Sequence, residues 1–169
     1  MSSAAVAGPL PPKPEFALPG RIPRMAARTG GATWTGDLRD GSGQLVVGPQ
    51  RWEAAYSFRS RFSDDTAGST NPEELLAAAH AGCFSLSLTH LLTQAGGVPR
   101  SVATSARVRL RPVDGVPTID LVELDTTVDV EGIDADALQK HVEAAEAGCG
   151  VSRALAGVAE IRVTARRRA

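Results

Sequence analysis

Thr70-Asn71-Pro72-Glu73-Glu74-Leu75-Leu76-Ala77-Ala78-Ala79-His80-Ala81-Gly82-Cys83-Phe84-Ser85-Leu86-Ser87-Leu88 is the stretch on which the fold turns. Asn71 is suited to cap a helix, Pro72 fits the first helical position, where an N–H has no helical acceptor, and Glu74 stands at capping-box spacing. From there to Ala95 the residues are mostly small or apolar, and Gly96-Gly97 supplies a stop. The pattern predicts one helix of roughly six to seven turns, largely buried. Leu76, Ala79, Cys83, Leu86 and His90 recur at three- and four-residue steps, which lines the thiol of Cys83 up with apolar side chains on one face. The length would also suit a bilayer. Glu73, Glu74, His80, Thr89 and His90 would then meet lipid at high cost, so a core helix is expected and no membrane span.

Upstream, Ser63–Ser69 is polar and turn-like and delivers the chain to Asn71. Before it, Glu53–Phe62 alternates, with Ala55, Ser57, Arg59 and Arg61 on one face and Ala54, Tyr56, Phe58, Ser60 and Phe62 on the other, which predicts a strand ending on Arg61. Ala32–Leu38 and Gln44–Val47 flank the turn Arg39-Asp40-Gly41-Ser42 as a hairpin. From Met1 to about Arg24, Pro9, Pro11, Pro12, Pro14, Pro19 and Pro23 break any helix or central strand. Residues 1–28 therefore read as a disordered or appended leader, with Met25 a second candidate start, and residues 29–169 as a single domain.

Downstream, Val102–Arg111 and Thr118–Val130 are strands joined through Val113-Asp114-Gly115-Val116-Pro117, the first presenting Arg107, Arg109 and Arg111 on a polar face. Asp134 caps a second helix carrying Leu138, Val142 and Ala145, which stops near Gly148. Val151–Leu155 suits a short helical turn and Ala159–Ala165 a last strand. The order of strands, long helix, strands, helix and strand predicts an α+β fold with helices packed on mainly antiparallel sheet.

A chain of 169 residues is long enough for one sizeable core. Its formal net charge of -1 leaves no basic footprint for nucleic acid or an anionic membrane, and Arg166-Arg167-Arg168 reads as a solvated end. The two cysteines do not make a disulfide-rich secreted scaffold, and the first residues lack a basic stretch followed by a continuous apolar one, so the reducing cytoplasm is expected.

Cys83 and Cys149 each fall at a helix-associated position and invite redox or metal chemistry. His80 and Cys83 with Cys149 and His141 would suit zinc, but the second pair has no close ligand spacing, and no metal or cofactor is expected. For thiol catalysis the nucleophile must be a thiolate, and an unperturbed cysteine is only about 3% ionised at pH 7. A guanidinium is the natural stabiliser. Arg61, Arg59 and Arg153 are the candidates, and composition does not choose among them.

The run from Gly68 through Ser85, with its Asn71-Pro72-Glu73-Glu74 and His80-Ala81-Gly82-Cys83-Phe84 segments, resembles the central motif of the osmotically inducible protein C family, which includes the organic hydroperoxide resistance proteins. Ala147-Gly148-Cys149-Gly150-Val151-Ser152-Arg153-Ala154-Leu155 resembles the family's second signature, and the resemblance runs from about Ala32 to the end of the chain. Trp34-Thr35-Gly36-Asp37 and Tyr56-Ser57-Phe58-Arg59-Ser60-Arg61-Phe62 place it nearer the osmotically inducible branch. The resemblance implies an intertwined homodimer of cysteine peroxidases with mainly antiparallel sheets around a long central helix. It further implies an organic hydroperoxide or hydrogen peroxide substrate and an external thiol reductant, with a lipoyl thiol favoured. By position it makes Cys83 the peroxidatic cysteine, Cys149 the resolving cysteine, Arg61 the thiolate-stabilising arginine and Glu73 the glutamate that positions it. His80, His90 and His141 stay packing or surface residues. One departure is Gly150, where the family has proline after the resolving cysteine; its loss loosens the backbone there. The competing expectation is a non-catalytic protein of the same fold, with an apolar-ligand pocket or a static Cys83–Cys149 bond that would stabilise by about 4 kcal/mol in the chain-entropy model.

Overall fold

The computed structural model describes residues 27–62 and 68–168. The leader reading for residues 1–26, including Met25, and the turn reading for residues 63–67 lie outside the described residues. Strands β1 (Gly30–Thr35), β2 (Ser42–Val47) and β3 (Trp52–Tyr56) form one antiparallel sheet in chain order. Helix α1 (Phe58–Phe62) leads to the long helix α2 (Pro72–Gln94). Strands β4 (Val98–Val113) and β5 (Val116–Glu131) form a second hairpin, followed by α3 (Ala135–Gly148), α4 (Gly150–Ala154) and β6 (Glu160–Arg167). The second sheet has the order β4-β5-β6, antiparallel between β4 and β5 and parallel between β5 and β6.

Both ends of α2 form as the local sequence dictates. Asn71 has extended backbone and its side chain accepts the Glu74 N–H at 2.8 Å. Glu74 does not close a reciprocal capping box through its carboxylate, which instead accepts the Thr70 hydroxyl at 2.7 Å. At the other end Gly96 takes a left-handed φ of +83°, and its N–H reaches Thr93 O (3.1 Å) while that of Gly97 reaches Leu92 O (3.0 Å). This is a Schellman stop. A Cβ on Gly97 would lie 2.7 Å from Ile133 Cγ1, so the second glycine lets the chain turn against the core.

The core sits between α2, the inner face of β5 and α3. Phe84, Leu88 and Leu92 of α2 meet Leu124, Val128 and Val130 of β5 and Leu138, Val142 and Ala145 of α3, with Ile133 and Cys149 completing the cluster. Length and composition would allow α2 to cross a bilayer, but it lies against the second sheet and carries an ion-paired glutamate in its first turn.

The expectation that α2 is largely buried is corrected: within one chain only the face of Glu73, His80, Phe84, Ser87, Leu88 and Leu92 is buried. Ala78, Ala79, Gly82 and Leu86 point outward, Leu86 with 76% of its surface exposed. Of the apolar stripe drawn through Leu76, Ala79, Cys83, Leu86 and His90, Ala79 and Leu86 face outward while Leu76, Cys83 and His90 are half-buried, so the stripe borders the core rather than facing it. The first sheet is equally open, with Trp34, Val47 and Trp52 exposed. Its strands pack mainly on one another.

Two bulges break the β4–β5 register, and each leaves a charged residue out of the ladder. Arg100 is the extra residue on β4 and pairs with Asp129 (3.7 Å) and Glu131. Asp120 is the extra residue on β5, and its carboxylate accepts from Arg109 Nε (2.9 Å) and Nη2 (2.7 Å) and from Arg111 Nε. These bonds, Arg109 first and Arg111 second, hold the Asp120 carboxyl well below the usual carboxylate range. A depressed carboxylate contributes stability that is fully present above its unfolded pKa and lost as pH falls through its folded one. The melting temperature of Asp120→Asn should therefore lie below that of the wild type by a constant gap from pH 7 down to about pH 5, and the gap should narrow below about pH 4. A gap that persists unchanged to pH 2 would remove the ion pairs as its source.

Candidate active site

Arg61 does not end a strand. Strand β3 stops at Tyr56, and Phe58–Phe62 is one helical turn. The serines decide this: the Ser57 N–H donates to Ser60 Oγ (2.9 Å) while the Ser60 N–H donates to Ser57 Oγ (3.0 Å), a reciprocal cap that closes the turn. Phe58 and Phe62, four apart, then share a face with their rings 4.8 Å apart. Three further bonds sew α1 to the entry of α2. Ser60 Oγ donates to Thr70 O (3.0 Å), Asn71 Nδ2 to Ser60 O (3.3 Å), and the Thr70 N–H to Ala55 O (2.9 Å).

That docking sets Arg61 on Glu73. Nη2 is 2.6 Å from Oε1, and Nε is 3.1 Å from both carboxylate oxygens. The Glu73 side chain is 10% exposed and that of Arg61 38% exposed, so the carboxylate is enclosed while the guanidinium keeps a free side. The hydrogen bonds that Arg61 donates to Glu73 raise its pKa; burial opposes them, and the charge of Glu73 adds a smaller upward push. The guanidinium also stands 5.9 Å from the Phe62 ring centroid. Arg59, placed on the same face by the strand reading, points elsewhere on the helical turn and is exposed, as is Arg153.

Cys83 and Cys149 are both free thiols. Cys83 is half-buried on α2 and packs against the core cluster of which Cys149 is a fully buried member. Cys149 closes α3 through its N–H to Ala145 O (2.9 Å) and at the same time precedes the first residue of α4. The Arg61–Glu73 pair and Cys83 of the same chain are far apart. On one continuous helix, Glu73 and Cys83 have backbones about 15 Å apart along the axis and turned by roughly 80°.

Of the two settings read for His80, packing or surface, the structure gives packing, with a polar partner added. It is 0% exposed, its Nε2 lies 2.7 Å from the buried Ser152 Oγ, and its Nδ1 has no partner among the described residues. The signal was present as a histidine inside an apolar run, but nothing in local spacing pointed to Ser152. The four donors of the zinc reading are not gathered: among the described residues no three His, Cys, Asp or Glu side chains are grouped to hold a metal. A cleft of about 550 Å³ opens between α2 and β4, lined by Ala81, Gly82, Ser85, Thr104, Asp125 and Arg166 among others.

The family model for OsmC-like protein matches residues 63–164. Peroxiredoxin OsmC of Escherichia coli (strain K12) is 40% identical over 133 residues, covering 76% of this chain and 89% of that protein. An organic hydroperoxide resistance protein from Elizabethkingia anophelis superposes with a TM-score of 0.68 at 24% identity, over 85% of this chain and 99% of that one. An OsmC-like protein from Mycoplasma pneumoniae gives a TM-score of 0.68 at 14% identity, again over 85% and 99%. At these identities the two solved structures speak for the α+β fold alone.

Gly150 opens α4, and Cys149 before it has φ -64° and ψ 123°, the extended backbone that a residue preceding proline adopts. The first helical position has no helical acceptor for its N–H, and a Cβ there would meet nothing within 4 Å. Gly150→Pro should therefore stabilise the protein by about 0.4–1 kcal/mol, through the unfolded chain, as read by chemical denaturation. A lowered midpoint would mean that the junction depends on glycine.

Proposed function

This chain belongs to the OsmC-like protein family, and from that membership we infer a thiol-dependent peroxidase that reduces organic hydroperoxides, and hydrogen peroxide, at Cys83. The observation that carries the reading is a pair of free thiols in unlike settings, Cys83 half-buried on the long helix and Cys149 within the core it packs against. Residues 29–169 form one peroxidase domain, working in the cytoplasm.

The Cys83 thiolate attacks the terminal oxygen of the hydroperoxide. An S–O bond forms, the O–O bond breaks, and the alkoxide takes a proton to leave as alcohol. Cys83 is then a sulfenic acid. The Cys149 sulfur attacks it, an S–S bond forms, and the hydroxyl leaves with a proton as water. An external thiol, a dihydrolipoyl group favoured, returns both cysteines to the reduced state by thiol–disulfide exchange. Arg61 holds the thiolate form of Cys83, and Glu73 holds Arg61.

Those roles require two chains. Arg61 is locked to the Glu73 of its own chain, and that glutamate stands about 15 Å along α2 from its own Cys83, beyond the reach of either side chain. The pair therefore serves the Cys83 of a partner in a homodimer. The outward face of α2, with Ala78, Ala79, Gly82 and Leu86 and no ionisable group among them, suits close packing against its symmetry mate.

Titrating thiols before and after one equivalent of an organic hydroperoxide tests the chemistry. Wild type should lose both thiols rapidly and form a disulfide. Cys83→Ser should not react, and Cys149→Ser should stall at a sulfenic acid open to over-oxidation, as read by mass spectrometry. Identical products from the two variants would remove the assigned roles.

Subunit exchange tests the shared site. Glu73→Ala and Cys83→Ser chains, each of low activity alone, should regain up to one working site per heterodimer when mixed. Demonstrated exchange without recovery, or a fully active monomer, would sink it.

A further inference from the structure

His80 and Ser152 form a buried contact that the peroxide chemistry leaves unused. His80 lies three residues before Cys83 on α2, and Ser152 three residues after Cys149 on α4, so the contact sits about one helical turn from each cysteine. Both side chains are withdrawn from solvent, His80 at 0% and Ser152 at 7% exposure, with Nε2 and Oγ 2.7 Å apart. It is a direct polar link between the helix that bears Cys83 and the turn that follows Cys149.

Packing alone does not account for the imidazole. Its Nδ1 is buried without a partner among the described residues, and leaving such a group unsatisfied costs more than one ordinary buried hydrogen bond returns. An apolar side chain of similar size would fill the space without that penalty. Cys149 and Val151 pack apolar surface into the core, which limits how far the turn can move, but such packing is non-directional and leaves the register of the turn to a directional bond. Helix α4 is one turn of five residues, too short to hold its own position, and Gly150 at its start adds no stiffness. Disulfide closure nevertheless demands a narrow geometry, with Cα atoms about 4.4–6.8 Å apart. Something must keep the turn bearing Cys149 registered against α2.

We propose that His80, bonded to Ser152, is the positioning residue for the second half of the reaction: it holds the Cys149 turn against the Cys83 helix so that disulfide closure outruns over-oxidation. The inference rests on the peroxidase reading above. It assigns no proton transfer to the imidazole and no part in the first oxidation. The balanced step it serves is the condensation of the Cys83 sulfenic acid with the Cys149 thiol, giving the disulfide and one water.

The test separates the two half-reactions in wild type, His80→Leu, His80→Gln and Ser152→Ala, with cumene hydroperoxide as oxidant and melting curves to establish folding. In His80→Leu and Ser152→Ala the first, peroxide-dependent oxidation should keep its rate. Disulfide closure should slow roughly tenfold, the ratio that corresponds to one buried hydrogen bond, and Cys83 sulfinic acid should accumulate in mass spectra. In His80→Gln, whose amide nitrogen reaches where Nε2 does, closure should recover. Ser152→Ala removes a single oxygen and keeps the test readable if the His80 variants unfold. Closure at the wild-type rate in Ser152→Ala, equal slowing of both half-reactions, or a folded His80→Gln as slow as His80→Leu would each overturn the proposal. A wild type that loses no thiol to the hydroperoxide would instead overturn the peroxidase reading itself.

Discussion

Glu73 is a carboxylate in the first turn of a helix with a tenth of its side chain exposed, and a charge so enclosed has to be paired. The helix N-terminus favours the negative charge, but Arg61 completes it with a two-pronged bond. That demand explains the backbone before it. The chain must leave β3, close one turn at Ser57–Ser60 and present Arg61 to the start of α2, and each of the bonds among Ser60, Thr70 and Asn71 holds that path. The guanidinium is thereby fixed at the end of α2 remote from Cys83, and it is this pairing that makes the proposed site a two-chain one.

The uncovered apolar surface supports the proposed dimer from a separate direction. A helix of 23 residues with a mean apolar character and only one face buried is incomplete by the ordinary rule that a helix apolar all round is covered all round. Leu86, Trp52, Phe58 and Phe62 are all largely exposed in one chain. Covering a side chain of this size contributes about 1.5–3 kcal/mol at most, and a few such burials rival the 5–15 kcal/mol that separates typical folded and unfolded states. Uncovered apolar surface of that weight, together with the uncharged face of α2, suits the partner that the proposed dimer would supply.

How much of this was legible in the sequence depended on whether the deciding interaction was local. Asn71-Pro72 and Gly96-Gly97 fixed α2 to within a residue because caps and stops act within one turn, and Asp134 did the same for α3. The strand reading of Glu53–Phe62 held as far as Tyr56 and failed beyond it because alternation and helical spacing coexist there: Phe58 and Phe62 fit both, and the serine cap tipped the balance. The burial of α2 was misjudged for another reason. Periodicity finds an apolar face, but on a helix apolar nearly all round it cannot tell whether the chain's own sheet or another molecule covers it. The parallel pairing of β6 with β5 carried no local mark at all, since a strand that follows two helices is free to join an edge in either sense. Cys83, Cys149 and Arg61 stood out as candidates by residue type, but the choice of Arg61 over the other arginines, the role of Glu73 and the division of labour between the cysteines came from a family resemblance, not from spacing. His80 was passed over because its partner lies far along the chain.

The two cysteines occupy mechanically different ground. Cys83 rides on a helix capped at both ends and packed on a sheet, so its backbone is among the least movable in the chain. Cys149 sits where α3 has ended and α4 has not begun, with extended backbone between two helices and glycine next to it. Its side chain is nonetheless part of the core, so any movement that carried it far would open a cavity, at a cost of about 24 cal/mol per Å³. A soft backbone carrying a tightly enclosed sulfur moves in one economical way, by small displacement of the turn toward its neighbour rather than by swinging out. Cys83 is partly buried against the same cluster. The fold thus confines the second thiol to short excursions within the cluster that Cys83 packs against, and on the proposed peroxidase reading the firmness of α2 and the freedom at Gly148–Gly150 would serve a reversible disulfide.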